Sequence, residues 1–341
     1  MKRIIVPTGY MGSGSSAVTN LISEYRGFSN DYDTYEYVFL HCPNGIFDFE
    51  DKILKNNTVV KSDEAIRSFR SEMEKLYNKK HYWVGNYEKI LTPKFLTYTE
   101  EFIKSLNYFN YPGFYYKHEE VNFNMYIKLI LKKFKLIKTP KILKYKNGME
   151  VCFPSDELFY KSAKRYIEKS LEKYNNEDVI LDQLLLPHNL YRIDNYFDNN
   201  LKVIVVERDP RDVFILNKYA WQSKNIQVPY PLKVEEFCEY YKNMRESEKI
   251  INNSKILRIK FENLIYDYDR TVKEIEKFVG LEKENHIKKY TKLDPKISIN
   301  NTQIFKDEKY SKEIDYIEKE LKEYLYNFPK EKIKKIELTI D

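Results

Sequence analysis

The 341-residue sequence is short of cysteine, of long apolar runs and of concentrated positive charge. Its three cysteines, Cys42, Cys152 and Cys238, lie far apart without a C-x-x-C pair, which argues against a disulfide framework and a zinc site. No apolar run approaches the roughly 18 residues of a membrane span, so we expect no integral membrane contact and a cytoplasmic location. The net charge of +6, from 58 basic and 52 acidic residues, is spread along the chain, which argues against a nucleic-acid partner.

One stretch near the start carries an anion-binding pattern. An apolar run at residues 4–6 leads into Gly9-Tyr10-Met11-Gly12-Ser13-Gly14-Ser15-Ser16 and then into residues 17–22, which predicts a strand, a glycine loop and a helix. Such a loop offers backbone N–H groups and the positive end of a helix dipole to a phosphate. The spacing matches G-x-x-x-x-G-K-[ST] except that Ser15 stands in place of the lysine. The missing lysine argues against hydrolysis of ATP or GTP and indicates a different phosphate ligand.

The rest of the chain alternates short apolar runs with polar or helical stretches, which predicts an α/β fold with a central parallel sheet. Further strands are predicted at residues 35–40, 179–181, 203–206 and 256–259, and a last helix at 311–326.

The middle of the chain, from about residue 61 to residue 174, has a different character. It is rich in Lys, Glu and Tyr in helical patterns, including residues 121–137, and Asn147-Gly148 predicts a hairpin between residues 141–146 and 149–153. We therefore predict one domain over residues 1–341. Its α/β core comprises residues 1–60 and 175–341, and the mostly helical insertion covers the ligand edge of the sheet.

A second anion motif follows the strand at residues 203–206. Glu207-Arg208-Asp209-Pro210-Arg211-Asp212-Val213 places a proline where a helix can begin and an arginine at the carboxyl end of the strand. Open α/β sheets bind ligands at that edge. Taken alone, the motif fits equally well an arginine paired with Asp209 or Asp212.

Together, the glycine loop and the Arg208 motif resemble the PAPS-dependent sulfotransferase family, which implies a three-layer, P-loop-like fold. A third likeness is Lys260-Phe261-Glu262-Asn263-Leu264-Ile265, followed by a helix ending near Phe278-Val279-Gly280-Leu281, and the three segments occur in the family's order. The resemblance implies transfer of a sulfuryl group from PAPS (3′-phosphoadenosine 5′-phosphosulfate) to a hydroxyl or amine. The first hypothesis for the acceptor is a carbohydrate of a surface glycan. The implied product is 3′,5′-ADP, with no metal requirement.

The resemblance also assigns residues to the donor. Arg208 would bind the 3′-phosphate, and the loop would bind the 5′-phosphosulfate through Gly12, Ser13, Gly14, Ser15 and Ser16. Because PAPS carries no triphosphate and needs no Mg²⁺, the loop lysine becomes dispensable, while serine hydroxyls can still donate to the phosphosulfate.

Two positions depart from the family's pattern. Gly12 stands where many members have Lys or Arg, and Lys61 or Lys306 are the candidates to supply that charge. Leu216, next to Asn217, stands where the family has a serine on the 3′-phosphate. Since the family closes a C-terminal loop over the donor, the candidate replacements for that contact are Asn217, Ser298 and Asn301.

Glu36 is the first candidate for the base that removes the acceptor proton. It occupies roughly the place of a glutamate base in several carbohydrate and tyrosine sulfotransferases, and a partly buried carboxylate acts more readily as a base near neutral pH. His41 is the second candidate and His188 the third, because imidazole titrates near neutrality. Asp182 with Gln183 fits either a contact to acceptor hydroxyls or a turn cap.

Two other functions remain open at this point. A small-molecule kinase of the same fold is disfavoured by the missing loop lysine. A non-catalytic nucleotide-binding protein is favoured by the departures at Gly12 and Leu216.

Overall fold

The structure is a computed structural model, and it describes residues 3–10, 12–28, 35–78, 83–113, 115, 123–136, 148–221, 224 and 227–329. The chain divides into two compact units. The first comprises residues 1–38, 82–84 and 174–341, and the second comprises residues 39–81 and 85–173. The second unit takes in nearly all of the insertion expected at 61–174 and begins earlier, at residue 39.

A four-stranded parallel sheet lies at the centre of the first unit, in the order β4-β1-β5-β6. The strands are β1 (Ile4–Thr8), β4 (Val179–Ile180), β5 (Leu201–Glu207) and β6 (Ile256–Lys260). Strand β1 lies between β4 and β5, so all five of its residues are buried. The α/β fold and the strands expected near 4–6, 179–181, 203–206 and 256–259 are thereby confirmed.

Helices cover the sheet of the first unit. They are α1 (Ser15–Ser23), α8 (Ile193–Tyr196), α9 (Pro210–Ile215), α10 (Val234–Ser247), α11 (Phe261–Tyr266), α12 (Tyr268–Val279), α13 (Pro295–Ser298) and α14 (Ser311–Glu320). One apolar core joins β1 and β5 to α1, α11 and α12, and a second joins α9, α10 and α14. The last helix is shorter than the 311–326 expected from its pattern.

The strand predicted at residues 35–40 is wrong. Residues 35–38 form no regular element, and residues 39 and 40 belong to a turn. The backbone hydrogen bonds here do not form a ladder: Glu36 N–H donates to Trp83 O at 2.8 Å, and Tyr37 N–H donates to Asp182 O at 3.0 Å. The β-branched and aromatic composition reflects burial, since Tyr35 and Tyr37 are almost fully covered and meet edge to face.

The second unit is mainly helical, as predicted for the middle of the chain. Its helices are α2 (Ile46–Leu54), α3 (Val59–Asn78), α4 (Tyr87–Ile90), α5 (Phe95–Lys104), α6 (Phe123–Lys133) and α7 (Asp156–Ser170). Strand β3 (Met149–Cys152) pairs antiparallel with β2 (Tyr108–Tyr111). The first arm of the predicted hairpin, residues 141–146, lies outside the described residues.

Cys42, Cys152 and Cys238 are buried and free of disulfides, and burial raises the pKa of the Cys152 thiol to about 11 and of the other two to about 12. Within the described part of the chain, no helix has both the length and the apolar character needed to cross a bilayer.

Candidate functional site

The glycine loop links the carboxyl end of β1 to the start of α1. Gly12 and Gly14 have φ angles of +82° and +87°, which glycine adopts without the strain that a Cβ brings. Ser13 N–H donates to Tyr10 O at 2.9 Å and closes a turn inside the loop. Because the first N–H groups of α1 have no acceptor within the helix, they remain available to an anion at this edge of the sheet.

Two of the loop glycines are also required by packing. A Cβ on Gly14 would lie 2.6 Å from the ring of Phe261, and a Cβ on Gly9 would lie 2.6 Å from the backbone oxygen of Val206 in β5. Phe261 is the first residue of α11 and is buried in the core, so its ring has little room to move. The loop is thus held between β5 and α11.

The three serines of the loop differ in their surroundings. Ser13 Oγ is buried and has no hydrogen-bond partner among the described residues. Ser15 is also buried, and its Oγ accepts from Gln183 Nε2 at 3.1 Å, which leaves the hydroxyl hydrogen to donate elsewhere. Ser16 is exposed.

Arg208 follows β5 directly, and its side chain reaches the loop. It donates from Nη1 to Gly12 O at 2.8 Å and from Nη2 to Asn301 O, and its guanidinium lies 4.9 Å from the centre of the Phe261 ring. A guanidinium has five N–H donors. Arg208 is 5% exposed, yet its Nε has no partner among the described residues. A buried cation with a donor that has no described partner is suited to an anionic ligand.

The two arginines of the motif have different partners. Arg211, not Arg208, forms the ion pair with Asp209, through Nε at 2.9 Å and Nη2 at 2.7 Å, and its Nη1 donates to Glu318 at 2.6 Å. Asp209 itself accepts the Arg211 N–H and begins α9, with Pro210 as the first helical residue. The structural role of the motif therefore falls on Arg211, which leaves Arg208 facing the loop.

Asn217 is brought to the loop by an irregular helix. A π-helical turn, Leu216–Trp221, follows α9 directly. Asn217 is 2% exposed, and neither its Oδ1 nor its Nδ2 has a partner among the described residues. A Cβ on Gly12 would lie 3.5 Å from Asn217 Nδ2, so this amide faces the loop. π-Turns occur frequently at functional sites. In this one, the Asn217 side chain lies beside the loop.

The segment before the last helix is fastened to the Arg208 motif. Arg208 holds the carbonyl of Asn301, and Asp212 accepts the N–H groups of Gln303 at 2.8 Å and Phe305 at 3.4 Å. Burial raises the pKa of Asp212 to about 6, against the opposing effect of the Arg208 charge. Burial also lowers the pKa of Arg208. Among the described hydrogen bonds, none joins Ser298, the last residue of α13, to the loop.

Glu262, in the third predicted motif, supports the Arg208 turn from α11. It accepts the backbone N–H of Asp209 at 2.8 Å through Oε1, while its Oε2 is buried without a described partner. Burial raises the pKa of Glu262 to about 7. The three segments singled out in the sequence therefore converge on one edge of the sheet.

Asp182 and Gln183 contact Tyr37, the neighbour of Glu36, and Ser15 of the loop. Asp182 follows β4, accepts from Thr19 of α1 at 2.8 Å and receives the Tyr37 N–H on its carbonyl. Its Oδ1 is buried without a described partner. Burial and the nearby charge on Glu36 raise the pKa of Asp182 to about 7, and burial raises the pKa of half-buried Glu36. The sequence left Asp182 as a contact to acceptor hydroxyls or a turn cap and did not indicate that its carboxyl group lies near that of Glu36. The local signal at Asp182 was a polar pair, Asp182-Gln183, directly after a strand.

The remaining candidates have other surroundings. His41 belongs to a turn of the second unit, and Lys61 is an exposed residue of α3 in the same unit. Lys306 is exposed, and the positive charge in contact with Gly12 is Arg208. His188 stacks on Tyr10 of the loop at 6.3 Å, and burial lowers the pKa of its imidazole. Within the described ranges, no three His, Cys, Asp or Glu side chains are grouped to hold a metal ion.

The described residues form an α/β protein with a glycine loop at the carboxyl edge of a parallel sheet. The profile of the family described as "Sulfotransferase domain" matches residues 4–336, almost the whole chain. The chain therefore belongs to the sulfotransferase family and is an enzyme of sulfuryl transfer. The resemblance seen in the sequence is confirmed.

Solved structures and curated proteins were compared as well. The sulfotransferase domain from the Synechococcus PCC 7002 olefin synthase is 12% identical, with coverage of 96% of this chain and 94% of that one, at a TM-score of 0.41. The sulfotransferase STF9 from Mycobacterium avium is 11% identical, with coverage of 84% and 66%, at a TM-score of 0.34. A search among curated proteins finds no match.

Proposed function

We propose that this enzyme takes its sulfuryl group from PAPS, the usual donor of its family, and passes it to a hydroxyl or amine, with a carbohydrate as acceptor. The observation that carries the donor assignment is the set of buried polar atoms without described partners around a loop that lacks lysine. These atoms are Ser13 Oγ, Arg208 Nε and both side-chain polar atoms of Asn217. Burying such groups unpaired is unfavourable, so their arrangement favours a polar ligand that pairs with them.

Two groups of residues suit the two ends of the donor. The N–H groups of the loop and of the first turn of α1, with the Ser13 and Ser15 hydroxyls, suit the 5′-phosphosulfate. Arg208 and Asn217 suit the 3′-phosphate, because both are buried beside Gly12 and carry donors without described partners. When bound, PAPS supplies the activated sulfuryl group.

Glu36 is our proposed base. Sulfuryl transfer resembles phosphoryl transfer in needing aligned reactants and stabilised charge more than covalent help from the protein. The acceptor still loses a proton, and burial raises the pKa of Glu36. The next residue, Tyr37, donates its N–H to Asp182 O in the turn whose Gln183 contacts Ser15. Asp182 lies close enough to influence that proton electrostatically.

Calorimetric titration tests the donor assignment. We expect 3′,5′-ADP to bind without a metal and ATP with Mg²⁺ to bind far more weakly, since the loop has no lysine for a β/γ-phosphate pair. The control ligand is 5′-AMP, which lacks the 3′-phosphate. Tight binding of ATP–Mg²⁺ together with no binding of 3′,5′-ADP would contradict the proposal and favour a kinase. Labelled PAPS with a panel of glycans, lipids and phenols then identifies the acceptor.

Replacing Arg208 by alanine tests the 3′-phosphate contact. A charge-assisted hydrogen bond contributes about 1.5–3 kcal/mol, so the affinity for 3′,5′-ADP should fall by about ten- to hundredfold. The affinity for adenosine 5′-phosphosulfate, which lacks the 3′-phosphate, should fall much less, through the lost brace on Gly12 alone.

The matched control is Arg211→Ala, which removes a neighbouring guanidinium whose described partners are protein groups. It should lower stability without discriminating between the two ligands. Equal losses of both ligands in Arg208→Ala would mean that Arg208 only braces the loop.

A further inference from the structure

Around helix α6 the second unit presents a cluster of exposed apolar side chains. The exposed fractions are 61% for Tyr126, 41% for Ile127, 46% for Ile130, 67% for Phe134 and 70% for Leu136. We call residues 126–136 the basic apolar segment. Five large apolar side chains exposed within eleven consecutive residues are unusual for a protein surface and mark an interaction site.

The apolar side chains lie together. Tyr126, Ile130 and Phe134 follow one another at intervals of four residues, which places them along one side of the helix. The chain then turns at Lys135, where φ is +56°, and Leu136 N–H donates to Leu131 O at 3.0 Å. This helix end carries the exposed Leu136 beyond the last turn, so the apolar surface extends past the helix itself.

Positive charge accompanies this apolar surface. The segment reads Tyr-Ile-Lys-Leu-Ile-Leu-Lys-Lys-Phe-Lys-Leu, with four lysines and no acidic residue. The side chains of Lys132, Lys133 and Lys135 are exposed and alternate with apolar neighbours. A long lysine side chain can lay its methylene groups on an apolar surface while its ammonium group stays in water.

We infer that the basic apolar segment binds the surface of an anionic lipid bilayer. Helices with an apolar side and lysines beside it lie in the headgroup region, with the apolar side chains inserted and the lysines attracted to anionic lipid. The eleven residues of α6 are too few to span a bilayer, so the contact is peripheral.

Charge complementarity favours lipid over other occupants. A nucleic acid would pair with the lysines but would leave Ile127, Ile130 and Leu136 in water, where they gain nothing. A protein groove that takes a helix would bury Tyr126, Ile130 and Phe134 at their regular spacing but would leave out Leu136, which lies beyond the helix end. A bilayer accommodates both the lysines and the apolar side chains on the helix and beyond its end, because it needs no fixed spacing of apolar groups.

Vesicle flotation of the full chain tests the inference. We expect binding to phosphatidylcholine vesicles that contain phosphatidylglycerol, much weaker binding to phosphatidylcholine alone, and weaker binding at high salt. Each lysine near an anionic surface contributes roughly fivefold, so Lys132→Gln, Lys133→Gln and Lys135→Gln together should reduce the partition coefficient about 100-fold on anionic vesicles. A Phe134→Ser, Leu136→Ser variant should reduce binding to both kinds of vesicle.

Two controls separate the segment from general surface effects. Lys55→Gln, Lys75→Gln and Lys233→Gln remove the same charge from side chains that are 63%, 66% and 77% exposed. Ile250→Ser with Ile297→Ser removes isoleucines that are 64% and 69% exposed elsewhere. Both controls should bind anionic vesicles like the wild type, with unchanged thermal unfolding in every variant. No binding to anionic vesicles, equal loss in controls and segment variants, or binding to RNA or a helix-binding protein in place of vesicles would overturn the inference.

Discussion

Replacing Glu36 by glutamine should lower turnover by about 10²–10⁴-fold, the usual effect of losing a general base, while the affinity for 3′,5′-ADP stays unchanged. Glutamine keeps the size of the side chain and its place beside the Asp182 turn but cannot take a proton. We assign no donor contact to Glu36, so binding and turnover should separate cleanly. The measurement is steady-state kinetics with labelled PAPS beside calorimetry of the same preparation.

The dependence of kcat/KM on pH gives a second test of Glu36 as the base. A base works in its deprotonated form, so kcat/KM of the wild type should rise with pH through the pKa of Glu36. Because burial raises that pKa, the rise in kcat/KM should occur at a higher pH than the pKa of an exposed glutamate. The rise should disappear in Glu36→Gln.

Two variants serve as controls for the assignment. His41→Ala should lower turnover far less than Glu36→Gln. Asp182→Asn should change the position of the pH-dependent rise, because the carboxyl groups of Asp182 and Glu36 affect each other. A near wild-type rate in Glu36→Gln with loss of activity in His41→Ala would transfer the role to His41. A near wild-type rate in Glu36→Gln with loss of activity in Asp182→Asn would assign the role of base to Asp182.

Replacing Gly14 by alanine should destabilise the protein by about 2–5 kcal/mol. The left-handed backbone conformation costs an L-residue about 1–2 kcal/mol, and forcing a methyl group against a packed ring costs about 1–3 kcal/mol. The new Cβ would lie 2.6 Å from the Phe261 ring. Since Phe261 also underlies Arg208, its displacement should weaken 3′,5′-ADP binding roughly tenfold or more.

Gly27 offers a closely matched control. Its φ is +87°, the same as that of Gly14, but a Cβ there would meet nothing within 4 Å. Gly27→Ala should therefore show only the backbone cost of about 1–2 kcal/mol and normal 3′,5′-ADP binding. Urea unfolding measures the free energy of unfolding of both variants. If their m values agree, the difference between the two free energies is the contribution of the ring contact. Equal destabilisation of the two variants would show that Phe261 does not restrict the loop.

The site was only partly predictable, and the two arginines show why. The sequence placed both beside acidic residues at the end of a strand, where either could form the ion pair. Arg211 pairs with nearby Asp209 and also with distant Glu318, whereas Arg208 donates to the distant carbonyls of Gly12 and Asn301. No local pattern distinguishes such alternatives.

Asn217 shows a second limit. Counting residues from Arg208 put Leu216 at the expected serine position, with Asn217 next to it as a candidate replacement. A π-turn begins at Leu216, and the Asn217 amide faces the loop. Sequence propensities do not reveal such a turn, because its stability comes from the contacts around it.

By itself, the sequence determined the features that depend on neighbours along the chain: the glycine loop between a buried strand and a helix, the Arg208 turn after β5, and the alternation that gives a parallel sheet. These rest on backbone freedom, hydrophobic period and helix starts, which are local properties. Tertiary structure alone decided that residues 35–38 form no strand, and that Asp182 contacts both Tyr37, next to Glu36, and Thr19 of α1. Those outcomes depend on which distant groups satisfy buried polar atoms, and only the folded chain brings those groups together.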